Sequence, residues 1–166
     1  STLAAQGLAL SMRLRLFDAW AACLTLGPRV GLALLEQFDP DDIEREDFEA
    51  QILALRAFLF GMIDCFDEAH TLALAWLPRV APAFGFTRGM LAQTLANTSL
   101  VRGELSEARR YADEARRSEL TPASPFNFAL ADAIEGALHL RQGRLRQARL
   151  SLQQAAGVSG DKPVSG

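Results

Sequence analysis

The sequence predicts an all-α fold, a right-handed α-solenoid of about four stacked helix pairs. Three observations carry that expectation. Ala and Leu supply 28 and 27 of the 166 residues, whereas Val, Ile and Thr together supply 16. Ala and Leu favour helices, and β-branched side chains favour strands. Glycine-centred turns recur at nearly even spacing, and small residues recur at fixed distances on either side of them. Self-similarity of this kind decides the architecture of a helical chain.

The turns stand out in the second half. Leu100-Val-Arg-Gly103-Glu-Leu105-Ser-Glu-Ala108-Arg aligns with Leu140-Arg-Gln-Gly143-Arg-Leu145-Arg-Gln-Ala148-Arg. Each phrase ends one helix, bends at Gly, and starts another with an apolar residue followed three positions later by Ala. Upstream, Phe66 and Ala69 follow Asp64, which takes the glycine's place, and Val30 and Ala33 follow Gly27-Pro28. Ala33, Ala69, Ala108 and Ala148 are thus spaced by 36, 39 and 40 residues. Twelve positions before them stand Ala21, Ala57, Ala96 and Gly136. Small residues at both points let two antiparallel helices approach closely. Seven positions after them stand Pro40, Trp76, Ala115 and Ala155, so a third small position holds only in the last two units.

Caps and breakers place the helices in order. The first runs from about Ala9 to Leu26, and Gly27-Pro28 opens the second with Pro at a helix start, where its missing N–H is harmless. That helix ends near Phe38, before Asp-Pro-Asp-Asp. A second pair begins near Ile43, breaks at Gly61 to Asp64 and ends at Pro78 to Pro82. Gly85 and Thr87 open the third pair, with Thr87 as N-cap. It turns at Gly103 and ends before Thr121-Pro122. Ser124-Pro125 then reads as N-cap plus first-turn Pro for the fourth pair. The units are residues 9–42, 43–82, 83–121 and 122–156 of a repeat domain covering 1–156, and 157–166 is a Gly/Ser/Pro-containing flexible tail or linker. The small-residue pattern resembles the tetratricopeptide repeat, with a period longer than that motif's.

Charge and composition exclude several classes. The net charge is −3, so no global basic field draws nucleic acid. The longest stretch without a charged residue, Gly89 to Val101, has 13 positions, too few to span a bilayer. No secretory signal opens the chain. Cys23 and Cys65 cannot form a disulfide framework, and His70 and His139, on different units, cannot alone build a zinc site. No phosphate-binding Gly loop, Gly-x-Ser-x-Gly elbow or His-Glu-x-x-His occurs. Asp41/Asp42 and Asp67/Glu68 fall at helix starts, where negative charge offsets the helix dipole. A cytoplasmic, non-catalytic protein without cofactor or metal is expected.

Recognition is the remaining function, and the first helix of each pair lines the surface that solenoids use. One position after each small first-helix residue come Ala22, Phe58, Asn97 and Ala137. Three before it lie Asp18, Ala54, Gln93 and Ala133, and one turn earlier Arg15, Gln51, Met90 and Leu130, since residues three and four apart share a helix face. The resulting strip joins Arg15, Asp18, Gln51, Gln93 and Asn97 to Phe58 and Met90, a mixture suited to a small ligand or a peptide. The Arg-rich second half, Arg109, Arg110, Arg116 and Arg117 with Arg141, Arg144, Arg146 and Arg149, has only Tyr111 as an aromatic neighbour, so direct nucleic-acid binding is not expected.

The two Gly-turn phrases, with periods near 40, resemble the helical-repeat region of large MalT-like, LuxR-family transcriptional regulators. The resemblance implies an upstream ATPase module, this repeat as inducer sensor, and a downstream helix-turn-helix. It covers about residues 13–156. A Ser start and a Gly/Ser/Pro tail suit a segment of such a longer chain. The implied partners are a small-molecule inducer or a regulatory protein, together with the other domains of the parent chain. A peptide-binding scaffold is the alternative.

Overall fold

A computed structural model describes the backbone of residues 2–38, 46–118 and 125–157, and the side chains of 12–38, 48–118 and 128–157. Among the described residues the chain forms eight α-helices: α1 (Thr2–Leu26), α2 (Pro28–Leu35), α3 (Glu46–Met62), α4 (Phe66–Trp76), α5 (Gly85–Val101), α6 (Leu105–Ser118), α7 (Pro125–Arg141) and α8 (Leu145–Ala155). A 3-10 turn, Leu77–Arg79, follows α4. The helices pack largely as sequential pairs, α1 on α2, α3 on α4, α5 on α6 and α7 on α8. Contacts between α2 and α3, α4 and α5, and α6 and α7 join the pairs, and the first helices α3, α5 and α7 also touch in succession.

Two helix starts differ from the sequence expectation. Helix α1 begins at Thr2 rather than near Ala9. Helix α5 begins at Gly85 with Phe84 at its N-cap, so Thr87 lies inside the helix and is buried. The first residue of α5 has to be glycine, because a Cβ at position 85 would collide with the Ser118 carbonyl oxygen at the end of α6. The expectations at Ile43, Asp41/Asp42, Pro40, Thr121-Pro122, Ser124 and the tail beyond Gly157 lie outside the described residues.

Three of the four turns share one hydrogen bond, from an N–H to the carbonyl five residues back. In the third pair Gly103 N–H donates to Leu100 O at 3.1 Å and Glu104 N–H to Ser99 O at 2.9 Å. In the fourth, Gly143 donates to Leu140 at 3.0 Å and Arg144 to His139 at 2.9 Å. In the second, Cys65 N–H donates to Phe60 O at 3.0 Å. These are helix C-caps that need a left-handed residue one position past the cap. Gly103 (φ 80°), Gly143 (φ 71°) and Asp64 (φ 65°) supply it. Asp64 is the non-glycine residue there, a type that tolerates this region better than most.

The first pair turns differently, and this shifts its register. Only Gly27 separates α1 from α2, against three residues in each later pair. The contact between the paired helices is therefore not Ala21 on Ala33: Ala33 is exposed and Ala21 half-buried. It is Ala19 on Gly31. A Cβ on Gly31 would lie 2.9 Å from the Ala19 carbonyl oxygen and 3.1 Å from Cys23 Cβ. In the later pairs the expected small residues are all buried, Ala57 and Ala69, Ala96 and Ala108, and Gly136 and Ala148, and a Cβ on Gly136 would lie 3.4 Å from the Ala148 carbonyl oxygen. With Gly31 in place of Ala33, the small residue is always the fourth of the second helix, and the spacings become 38, 39 and 40 residues.

Helix α5 occupies the centre, against α3, α4, α6 and α7. Leu91 and Leu95 are fully buried on it, and so are Thr98 and Ser99. The threonines spend their hydroxyl protons within the helix, Thr94 on Met90 O and Thr98 on Thr94 O, each at 3.0 Å.

Candidate functional site

Two cavities open along the first helices. The first, about 290 Å³, lies between the second half of α1 and the N-terminal halves of α3 and α5. Its walls are Arg13, Leu16, Phe17 and Trp20 of α1, Gln51, Ala54 and Leu55 of α3, and Phe86, Thr87 and Met90 of α5. The second, about 450 Å³, lies further along the same helices and adds α7. Leu24 closes one side; Phe58, Gly61 and Met62 of α3, Gln93, Thr94, Asn97 and Leu100 of α5, and Leu130, Ala133, Ile134 and Ala137 of α7 form the rest. The partition between them is aromatic. Trp20 of the first and Phe58 of the second have ring centroids 5.7 Å apart, tilted by 41°.

The two chambers differ chemically. The first carries a cation, Arg13, and two aromatic side chains in open solvent, Phe17 (67% exposed) and Phe86 (50%). Among the described residues, the second has no ionisable side chain on its wall. Its polar groups are the hydroxyl of Thr94, already donated to Met90 O, and the side-chain amides of Gln93 and Asn97. Gln93 is 4% exposed, and its Oε1 is buried without a hydrogen-bond partner.

Of the strip expected from sequence, Gln51 and Met90 line the first cavity, and Phe58, Gln93 and Asn97 the second. Arg15 and Asp18 line neither. The Arg15 guanidinium donates to the Gln37 carbonyl at 2.7 Å and sits 4.6 Å over the Phe38 ring, tying α1 to the end of α2. Asp18 is exposed. The shorter first turn accounts for both misplacements. Counting from Ala19 instead of Ala21 replaces Arg15, Asp18 and Ala22 by Arg13, Leu16 and Trp20, and all three line the first cavity. Every one of the twelve corrected strip positions then lies on a cavity wall. Phe17 and Phe86 carried no repeat signal, since they flank the strip rather than lie on it.

Arg88 of α5 and Arg109 and Arg116 of α6 are engaged between elements. Arg88 donates to the carbonyls of Leu77 (3.2 Å) and Val80 (2.8 Å) and pairs with Glu114 at 2.8 Å. The bond to Arg88 holds the Glu114 carboxyl below the usual range. Arg116 reaches across to Asp132 and Glu135 of α7, the latter at 2.7 Å. Burial opposes its charge, and the two carboxylates outweigh that and raise its pKa. Pairs three residues apart form along α6 at Arg110–Glu107 and Arg117–Glu114. Arg141, Arg144, Arg146 and Arg149 are exposed.

His70 on α4 meets Thr98 Oγ1 of α5 at 2.8 Å through Nδ1. Because Thr98 gives its own proton to Thr94 O, the imidazole is the donor. Burial, then the charge of Arg102, lowers its pKa, with Glu104 and Asp67 opposing. Arg102 itself pairs with Asp67 at 2.6 Å. Cys23 is buried in the core, and burial pushes its thiol pKa up. Among the described residues no group of three or more His, Cys, Asp or Glu converges as metal ligands, and no helix is long and apolar enough to cross a membrane. No protein-family model, curated protein or solved structure matches the chain.

Proposed function

We propose that this chain is a non-catalytic recognition domain, a right-handed solenoid of four tetratricopeptide-like helix pairs. It senses a small molecule or a regulatory protein along its first helices, as the sensor segment of a MalT-like, LuxR-family transcriptional regulator. One observation carries the recognition reading. The residues at three equivalent positions on each first helix all line two adjoining cavities, so the repeat aligns one continuous face into a receptor. Concave, mostly apolar sites with a few polar groups are where proteins hold ligands. The regulator assignment is supported by the two Gly-turn phrases at Gly103 and Gly143 and their spacing of 40 residues.

Thermal shift tests recognition directly, because a ligand that binds only the folded state must raise its stability. Inducers of the parent pathway are expected to raise the unfolding temperature, and the absence of any shift with metabolites or partner peptides counts against the proposal. The parent gene tests the assignment: a Walker motif upstream and a helix-turn-helix downstream are expected. A second reading, a scaffold for a peptide or helix, is favoured at the first cavity by the exposed rings of Phe17 and Phe86. Apolar anchors of an amphipathic helix fit such a rim. A shift with a partner peptide and none with inducers selects it.

A further inference from the structure

The second cavity is specific enough in its chemistry to define what enters it. Its size, about 450 Å³, falls within the range of small-molecule sites. Phe58, Met62, Leu130 and Ile134 make it apolar, and among the described residues no charged side chain lines it to offset a buried charge. An ion would lose its hydration there without compensation. Two amides remain to read a ligand. Gln93 is buried with Oε1 unpartnered, a state that costs free energy until a partner arrives. Gly61, the penultimate residue of α3, also lines the cavity. Among the described residues outside the α3 backbone, only Asn97 Nδ2 comes within 4 Å of a Cβ built there, at 3.9 Å, so a larger side chain would grow into the open space.

We propose that the cavity between α3, α5 and α7 binds an uncharged, largely apolar small molecule whose polar group is hydrogen-bonded by the side-chain amides of Gln93 and Asn97. A primary or secondary amide matches those groups best, since it donates and accepts as they do. The inference rests on the recognition reading above and locates it. An anionic ligand belongs instead to the neighbouring chamber, where Arg13 stands.

Calorimetric titration of the whole chain with octanamide, octanoate and octylammonium provides the test. These probes share one hydrocarbon tail and differ in head-group charge. Octanamide is expected to bind at least tenfold more tightly than either ion. Gly61→Leu, which fills the cavity while removing a helical glycine, should weaken octanamide at least tenfold without lowering the urea midpoint. Gln93→Leu keeps the apolar volume and should erase most of the preference for octanamide, again with no loss of stability. Equal binding of the three probes overturns the inference, and so does unchanged octanamide affinity in Gly61→Leu. If octanamide binding is lost in Gln51→Trp but not in Gly61→Leu, the ligand sits in the first cavity; the recognition reading then survives and this inference fails. Absence of binding by all three probes also overturns it, and the recognition reading is then judged by the thermal-shift test alone.

Discussion

The first and last helix pairs reach the same close contact by opposite means. In the pair α1–α2 the glycine is on the second helix, Gly31, and faces backbone, the Ala19 carbonyl oxygen. In α7–α8 it is on the first helix, Gly136, and faces a side chain, Leu152. The two middle pairs do without glycine and use alanine on both sides. Twelve residues separate the contacting positions in all four pairs, although the first turn has one residue and the others three. The invariant of this chain is thus the helix–helix contact, and turn length adjusts around it.

That difference sets the largest expected effects. In Gly31→Ala the new Cβ would meet a carbonyl oxygen at 2.9 Å, and relief requires moving α1. Overpacking of this kind is expected to cost about 2–3 kcal/mol. Gly136→Ala would bring its Cβ within 2.6 Å of Leu152 Cγ, but that side chain is 39% exposed and can swing outward. The better helix propensity of Ala offsets part of the clash, so the net loss should stay below about 1 kcal/mol. Urea midpoints of the two variants check the order. Equal losses would mean that the first pair does not hinge on backbone contact.

The turns give the next contrast. Gly27 has φ 105° and ψ 162°, a region open to glycine alone, whereas Gly103 and Gly143 sit in ordinary left-handed geometry. Gly27→Ala should therefore cost about 2 kcal/mol and Gly103→Ala or Gly143→Ala about 1 kcal/mol. Asp64 already occupies the left-handed position without being glycine, so Asp64→Gly is expected to gain about 0.5 kcal/mol. Chemical denaturation of this series reads the backbone alone, because a Cβ at Gly27, Gly103 or Gly143 meets nothing within 4 Å. A loss at Gly103 as large as at Gly27 would erase the distinction between the turns.

The same short turn explains how far the sequence could be read. Hairpin pairing, the Gly103 and Gly143 caps and the role of Asp64 were legible, because each is a local rule about backbone and small side chains. The register of the first pair was not. Ala19, Ala21, Ala22 and Ala33 are equally small, and sequence spacing cannot tell which of them touch when Gly27 alone makes the turn. One slip of two residues then carried Arg15 and Asp18 into the strip in place of Arg13, Leu16 and Trp20. The burial of Gln93 was also hidden, since it follows from four helices surrounding α5. So was the reach of Arg116 to Asp132 and Glu135, which joins elements with no fixed sequence spacing.

The smallest expected effect lies at the junctions between pairs. One position after the small residue of the second helix stand Leu32, His70 and Arg109. Leu32 is buried, beside a first junction where Gly31 abuts Leu59. Thr98 occupies in α5 the place that Leu59 holds in α3, and there His70 donates its hydrogen bond. The second junction therefore contains a histidine whose pKa is lowered by its surroundings. Its cause is burial first and Arg102 second, both disfavouring the imidazolium. The unfolded chain, with the ordinary value of 6.5, takes up the proton more readily than the folded one. Stability from this site is complete above that pH and is lost as pH falls through the lowered folded value. Partial exposure and the opposing carboxylates Asp67 and Glu104 keep the effect small, about 1 °C in unfolding temperature. His70→Leu, which makes the second junction resemble the first, should flatten the unfolding temperature between pH 7 and pH 5 while lowering it throughout, because Thr98 loses its partner. An unchanged slope in that variant would place the titration elsewhere, and the two junctions would then differ in packing only.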